Sequence, residues 1–96
     1  MRKLIVHRTY RKSMLNLGRA YGKRRFQNLV LKVESTVERL QFNQPLPKPQ
    51  KLAKLKGRPD VWYCRLGDDL RLIFDYPSND EIRLIDLGTH VQLGLD

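Results

Sequence analysis

Arg65, Asp69, Arg71 and His90 are the residues of this chain whose types suit work on a phosphate. Two arginines can grip a phosphate in bidentate fashion and stay charged at any physiological pH. A histidine, with an ordinary pKa of about 6.5, can take or give a proton near neutrality, and a carboxylate can orient or charge the imidazole. Each has a plain reading too. Asp68 and Asp69 follow Gly67 and read as turn residues capping their own backbone. A lone histidine after Gly88-Thr89, at the end of a sheet, is more often a surface or capping group than a catalyst. Arg65 and Arg71 stand out because they fall inside β-rich runs, where arginine is less expected than in a loop. Tyr63 beside them offers a stacking surface.

Other chemistries are poorly supplied. His7 and His90 are the only histidines, Cys64 is alone, and no ligand pair has a zinc or calcium spacing, so neither a metal nor a cofactor is expected. No glycine-rich phosphate loop is present, and Cys64 in its strand reads as a buried structural thiol. The charge is more informative: 19 Lys and Arg against 10 Asp and Glu give +9. Such a chain asks for an acidic partner, with nucleic acid first, an acidic protein second and an anionic membrane surface a distant third. The excess is clustered at Lys23-Arg24-Arg25 and along residues 48–58, where Lys51, Lys54, Lys56 and Arg58 are candidates, with Tyr63, for nucleic-acid contact.

These side chains need a scaffold, and 96 residues allow a single domain, 1–96, with one modest core. One cysteine excludes an internal disulfide, and a domain this small without such staples points to the cytoplasm. After Met1-Arg2-Lys3 the apolar run Leu4-Ile5-Val6 is far shorter than a signal-peptide core, and no run reaches membrane-spanning length.

Leu4-Ile5-Val6 is expected to form a strand. Residues 10–17 and 23–42 read as a helical hairpin broken between Gly18 and Gly22. In the second helix Phe26, Leu29, Val30, Val33, Val37 and Leu40 recur at the three- and four-residue spacing of one apolar stripe. Pro45, Pro47 and Pro49 end it. Residues 61–66, 70–76 and 81–87 then read as a three-stranded antiparallel meander with turns at 67–69 and 77–80. Alternation turns Leu70, Leu72, Phe74 and Tyr76 toward the helices, and sets Arg71 with Arg65 and Tyr63 on the opposite face. The fold class is therefore α+β, with the helices on one face of the sheet.

The segments Leu55-Lys56-Gly57, Arg65-Leu66-Gly67-Asp68-Asp69-Leu70-Arg71-Leu72-Ile73-Phe74 and Gly88-Thr89-His90 resemble the RelE/ParE superfamily of type II toxins, and the order of strand, helix pair and meander is similar across nearly the whole chain. The resemblance implies a RelE-like fold and, in the RelE-like and YafQ-like branches, ribosome-dependent cleavage of mRNA without a metal, restrained by an acidic antitoxin. Arg71 falls on the arginine of the RelE-like hairpin and Arg65 on a basic or histidine position. Asp69 and His90 match the acid and the terminal histidine of the YafQ-like branch. Tyr63 stands where RelE-like sequences carry lysine, and the tail after His90 lacks the branch's usual aromatic residue. The resemblance also admits a ParE-like gyrase poison without nuclease activity, or a degenerate member that only binds RNA or antitoxin.

Overall fold

The structure is a computed structural model that describes residues 1–67, 69–89 and 93. Five strands and two α-helices follow in the order β1 (Lys3–Val6), α1 (Arg8–Ala20), α2 (Lys23–Gln41), β2 (Ala53–Leu55), β3 (Arg58–Arg65), β4 (Leu70–Asp75) and β5 (Glu81–Thr89), with a 3₁₀ turn at Lys48–Gln50 before β2. The five strands form one sheet of order β1-β5-β4-β3-β2. β1 pairs with β5 in parallel and all other pairs are antiparallel. The α+β architecture with helices on one face is the expected one.

The apolar stripe of α2 forms because its repeat matches the helical period. Leu29, Val33, Val37 and Leu40 are buried and meet Cys64, Leu72, Phe74, Ile82, Leu84 and Leu87 of the sheet in one core, with Phe26 packed at its margin. Tyr10 and Leu17 of α1 join them. Leu70, Leu72, Phe74 and Tyr76 belong to this helix-side core, as their alternation requires.

Four elements depart from expectation, one of them β3, which starts at Arg58 and not at residue 61. Gly18 lies inside α1, which runs on to Ala20, and does not break it. A Cβ at this position would come within 3.2 Å of the Phe26 ring, so glycine serves here as the small residue that lets α2 approach α1. The break falls at Tyr21-Gly22, where Tyr21 ends α1 and Gly22 caps α2. Within the lysine-rich segment an additional strand, β2, pairs Ala53 with Tyr63 and Lys54 with Trp62, so the meander has four strands. Finally, β5 extends through Gly88 and Thr89, beyond the expected end at residue 87.

Candidate functional site

The hairpin of β3 and β4 builds the centre of the site. Its turn needs Gly67, whose φ of +103° lies where side chains are disfavoured. The Leu66 amide donates to the Leu70 carbonyl at 2.9 Å and the Leu70 amide to the Gly67 carbonyl at 3.0 Å, and the ladder that follows sets Arg65 directly opposite Arg71. Tyr63 opposite Ile73 and Val61 opposite Asp75 continue the same face, away from the helix-side core. Across β4, the face meets Gly88 beside Arg71 and Arg83 beside Asp75. The row Arg65, Arg71, Gly88 thus carries two guanidinium groups and then a residue with no side chain.

The two ends of this face differ in electrostatics. At one end Arg83 holds Asp75 through two parallel hydrogen bonds, Nε to Oδ1 at 2.9 Å and Nη2 to Oδ2 at 2.5 Å. That carboxylate raises the Arg83 pKa above its ordinary range. At the other end Arg65 and Arg71 are like charges in direct register, an arrangement that destabilises a sheet. Asp69 is one partner of Arg71: its carboxylate lies 3.8 Å from Nη1, and its carbonyl accepts from the same nitrogen at 3.3 Å. Arg71 is buried and Arg65 half-buried, so both charges are partly withdrawn from water. An anion held between them would relieve the repulsion.

Arg65, Arg71, Asp69 and Tyr63 therefore come together as one neighbourhood. His90 lies outside the described residues. The basic stretch does not gather there as a unit. Lys51 follows Gln50 at the Arg65 end of β3, whereas Arg58 starts that strand, about 23 Å away at the usual rise of about 3.3 Å per residue. Lys56 lies exposed in the β2–β3 turn beside Arg58, and Lys54 points to the helix side, its ammonium 5.2 Å from the centre of the Trp62 ring.

Cys64 is fully buried, and burial pushes its thiol up to about 12, which leaves it neutral and structural. His7 caps α1, its Nδ1 accepting from the Thr9 amide at 3.0 Å. Among the described residues no group of His, Cys, Asp and Glu could hold a metal ion.

One positioning group was invisible in the sequence. Gln50, buried at the end of the proline-rich linker, donates to Thr36 Oγ1 of α2 at 2.8 Å and to the Arg65 carbonyl at 3.2 Å. It thereby ties the end of β3 to the helix layer. No compositional cue marks a glutamine flanked by prolines and lysines as buried.

The chain has the fold of solved RelE/YafQ-like toxins. A copper-bound mutant toxin from Helicobacter pylori superposes with a TM-score of 0.82 at 22% identity, covering 97% of this chain and 99% of that one. The structure of the E. coli DinJ–YafQ complex gives 0.80 at 19% identity, with 97% and 98% covered. The YoeB dimer from Staphylococcus aureus gives 0.72 at 14%, with 93% and 97% covered. No family model matches the sequence, and no curated protein matches it.

Proposed function

We propose that this chain is the toxin of a type II toxin–antitoxin system, a one-domain endoribonuclease that cleaves ribosome-bound mRNA in the cytoplasm and is held in check by an acidic antitoxin. The observation that carries the proposal is the cross-strand pair Arg65–Arg71, two guanidinium groups in direct register on one face of the sheet, with the Asp69 carboxylate beside Arg71. The fold shared with YafQ and YoeB, and a DinJ–YafQ structure described as a toxin–antitoxin complex, support the toxin reading and the antitoxin partner.

Cleavage without a metal requires a base for the 2′-hydroxyl proton, cations for the charge that builds on phosphorus, and an acid for the departing 5′ oxygen. Arg71 and Arg65 supply the cations. Gly88, opposite Arg71 in the ladder, adds no side chain of its own to this row. Asp69, already beside Arg71, and His90, which follows the last residue of β5, divide the proton transfers. Tyr63 offers a ring on the same face for a base to stack against, and Lys51, Lys54, Lys56 and Arg58 contribute the longer-range attraction for mRNA and ribosomal RNA.

The test is to add purified protein to a translating extract and map mRNA 5′ ends, with naked mRNA and a gyrase supercoiling assay in parallel. New 5′ ends that need ribosomes support the proposal. Intact mRNA with inhibited gyrase would make the chain a ParE-like poison.

A further inference from the structure

The basic cluster Lys23-Arg24-Arg25 has no part in the cleavage chemistry. It opens α2, whose first turn holds no acid, at the end where the helix dipole disfavours cations and favours an anion. Arg25 is held by its neighbour: its guanidinium carbon lies 3.9 Å from the centre of the Tyr21 ring. From Arg25, spacings of three and then four residues set Asn28 and Lys32 on the same stripe of the helix. The two cations therefore stand about 10 Å apart along the helix at its rise of about 1.5 Å per residue.

This stripe forms one wall of a hollow of about 190 Å³ between α2 and the β3–β4 turn. Its floor is apolar, made by the buried side chains of Leu29, Leu66 and Leu70, while Arg25, Asn28 and Lys32 stand exposed at its rim. Among the described residues Arg25 and Lys32 make no ion pair, and the Asn28 side-chain amide makes no hydrogen bond. An apolar floor, a ring carrying a guanidinium, an unused amide and two cations match the parts of a nucleotide. They supply a surface for a base, a group for its polar edge and charges for the flanking phosphates. An acidic peptide would use the cations but would not bring a planar ring with every residue, as RNA does.

The hollow also sits next to the arginine pair. Leu66 and Leu70 are the chain neighbours of Arg65 and Arg71, turned to the helix side while the arginines face away. Gly67, exposed and without a side chain, forms the lip between the two sides. An RNA strand held at Arg65 and Arg71 reaches the hollow by rounding this turn.

We propose that the hollow is a further RNA subsite, taking one unpaired nucleotide of a strand that rounds the β3–β4 turn from the arginine pair. Its base stacks on Arg25 and Tyr21, and a flanking phosphate meets Lys32. This rests on the RNA-binding half of the proposed function and not on its cleavage step.

The probe is a labelled single-stranded 2′-O-methyl RNA of about eight nucleotides, which offers no 2′-hydroxyl for cleavage, titrated onto the whole protein by fluorescence anisotropy at several salt concentrations. Arg25→Lys, which keeps the charge and loses the planar group, should weaken binding about tenfold with the salt slope unchanged. Lys32→Ala should flatten the slope by about 0.7 unit, the single-strand value for one phosphate contact. Lys3→Gln, on edge strand β1 at the opposite end of the sheet, should do neither. All three positions are exposed, so the variants should melt like the wild type. Arg71→Ala is measured alongside. Weaker binding by Arg71→Ala with wild-type behaviour in Arg25→Lys and Lys32→Ala would overturn the subsite and leave the arginine face standing. No binding of the oligomer at about 1 mM would also overturn it, as would Arg25→Lys that binds like the wild type, which reduces the stripe to charge alone. Equal affinity for AMP and the oligomer would give the hollow to a free nucleotide, and tighter binding of a polyglutamate of equal charge would give it to an acidic protein. Every readout is binding, so the extract assay stands or falls separately.

Discussion

Replacing Arg65 with glutamine should make the protein more stable and less active. Arg65 and Arg71 are directly opposed on β3 and β4, so their Cα atoms are about 4.5–5.5 Å apart and their guanidinium groups can separate to roughly 7 Å. Two like charges at about 7 Å cost about 0.6 kcal/mol at the dielectric of water and about 1.2 kcal/mol at an effective value of about 40, which suits a half-buried pair. Asp69 screens part of this from the Arg71 side. A net gain of about 0.5 kcal/mol on removing the Arg65 charge is therefore expected, or about 2–4 °C in Tm for a domain of this size. Glutamine keeps most of the side-chain stem, so the packing of the strand is conserved. Thermal unfolding followed by circular dichroism at about 0.1 M and about 1 M salt is the assay, because the screening length falls from about 10 Å to about 3 Å between them. The gain should shrink at high salt. A Tm that falls in Arg65→Gln, or a gain indifferent to salt, would refute the idea that this pair stores repulsion for an anion.

Other outcomes follow from neighbouring features. Gln50→Leu should lower stability by about 1–3 kcal/mol, because Thr36 Oγ1 and the Arg65 carbonyl lose a donor in a buried site, measurable by urea unfolding. Cys64, with its pKa raised from an ordinary 9.0 to about 12, favours the folded state fully below about pH 9, and that contribution drains away as pH rises toward 12. Between pH 8 and 10 it should cost about 1 kcal/mol, and a Cys64→Val variant should lack that slope in unfolding experiments. Buried Tyr10 and half-buried Tyr76, also raised, add to alkaline instability at higher pH with the same sign. RNA affinity should fall steeply with salt. Lys51→Ala, near the Arg65 end of β3, should flatten the slope by nearly one unit, and Lys54→Ala, whose ammonium sits over Trp62 on the helix side, by less.

Much of the scaffold could be read directly from the residues, because periodicity reports a face wherever one face is buried. The α2 stripe and the alternation in β4 are of this kind, and the latter already put Arg65 and Arg71 on a shared face. The misreadings arose where long-range contacts override local pattern. Gly18 looks like a breaker until Phe26 is seen packed against it. Residues 53–55 look like part of a charged linker, and become a strand only because β3 offers them a ladder. Strand β4 is buried along its whole length, so Asp75 gave no hint that it would face Arg83. The site was legible as far as its hairpin, since register follows from the turn. The dispersal of the lysines was not, because strand pairing rather than chain proximity decides which face and which end a side chain reaches.

The most direct measurement of the central claim is the rate of mRNA cleavage in a translating extract by the wild-type protein and by Arg71→Ala and His90→Ala, each first checked for an unchanged fold. The wild type should generate new 5′ ends within translated messages. Losing a positioned acid or base should slow His90→Ala by about 10²–10⁴-fold, and Arg71→Ala should slow through lost charge stabilisation by about 10²–10³-fold, as for removal of a donor to a developing anion. Folded Arg71→Ala that cleaves at the parental rate, or a wild-type protein that leaves every message intact, would contradict the assignment of this arginine face to RNA cleavage.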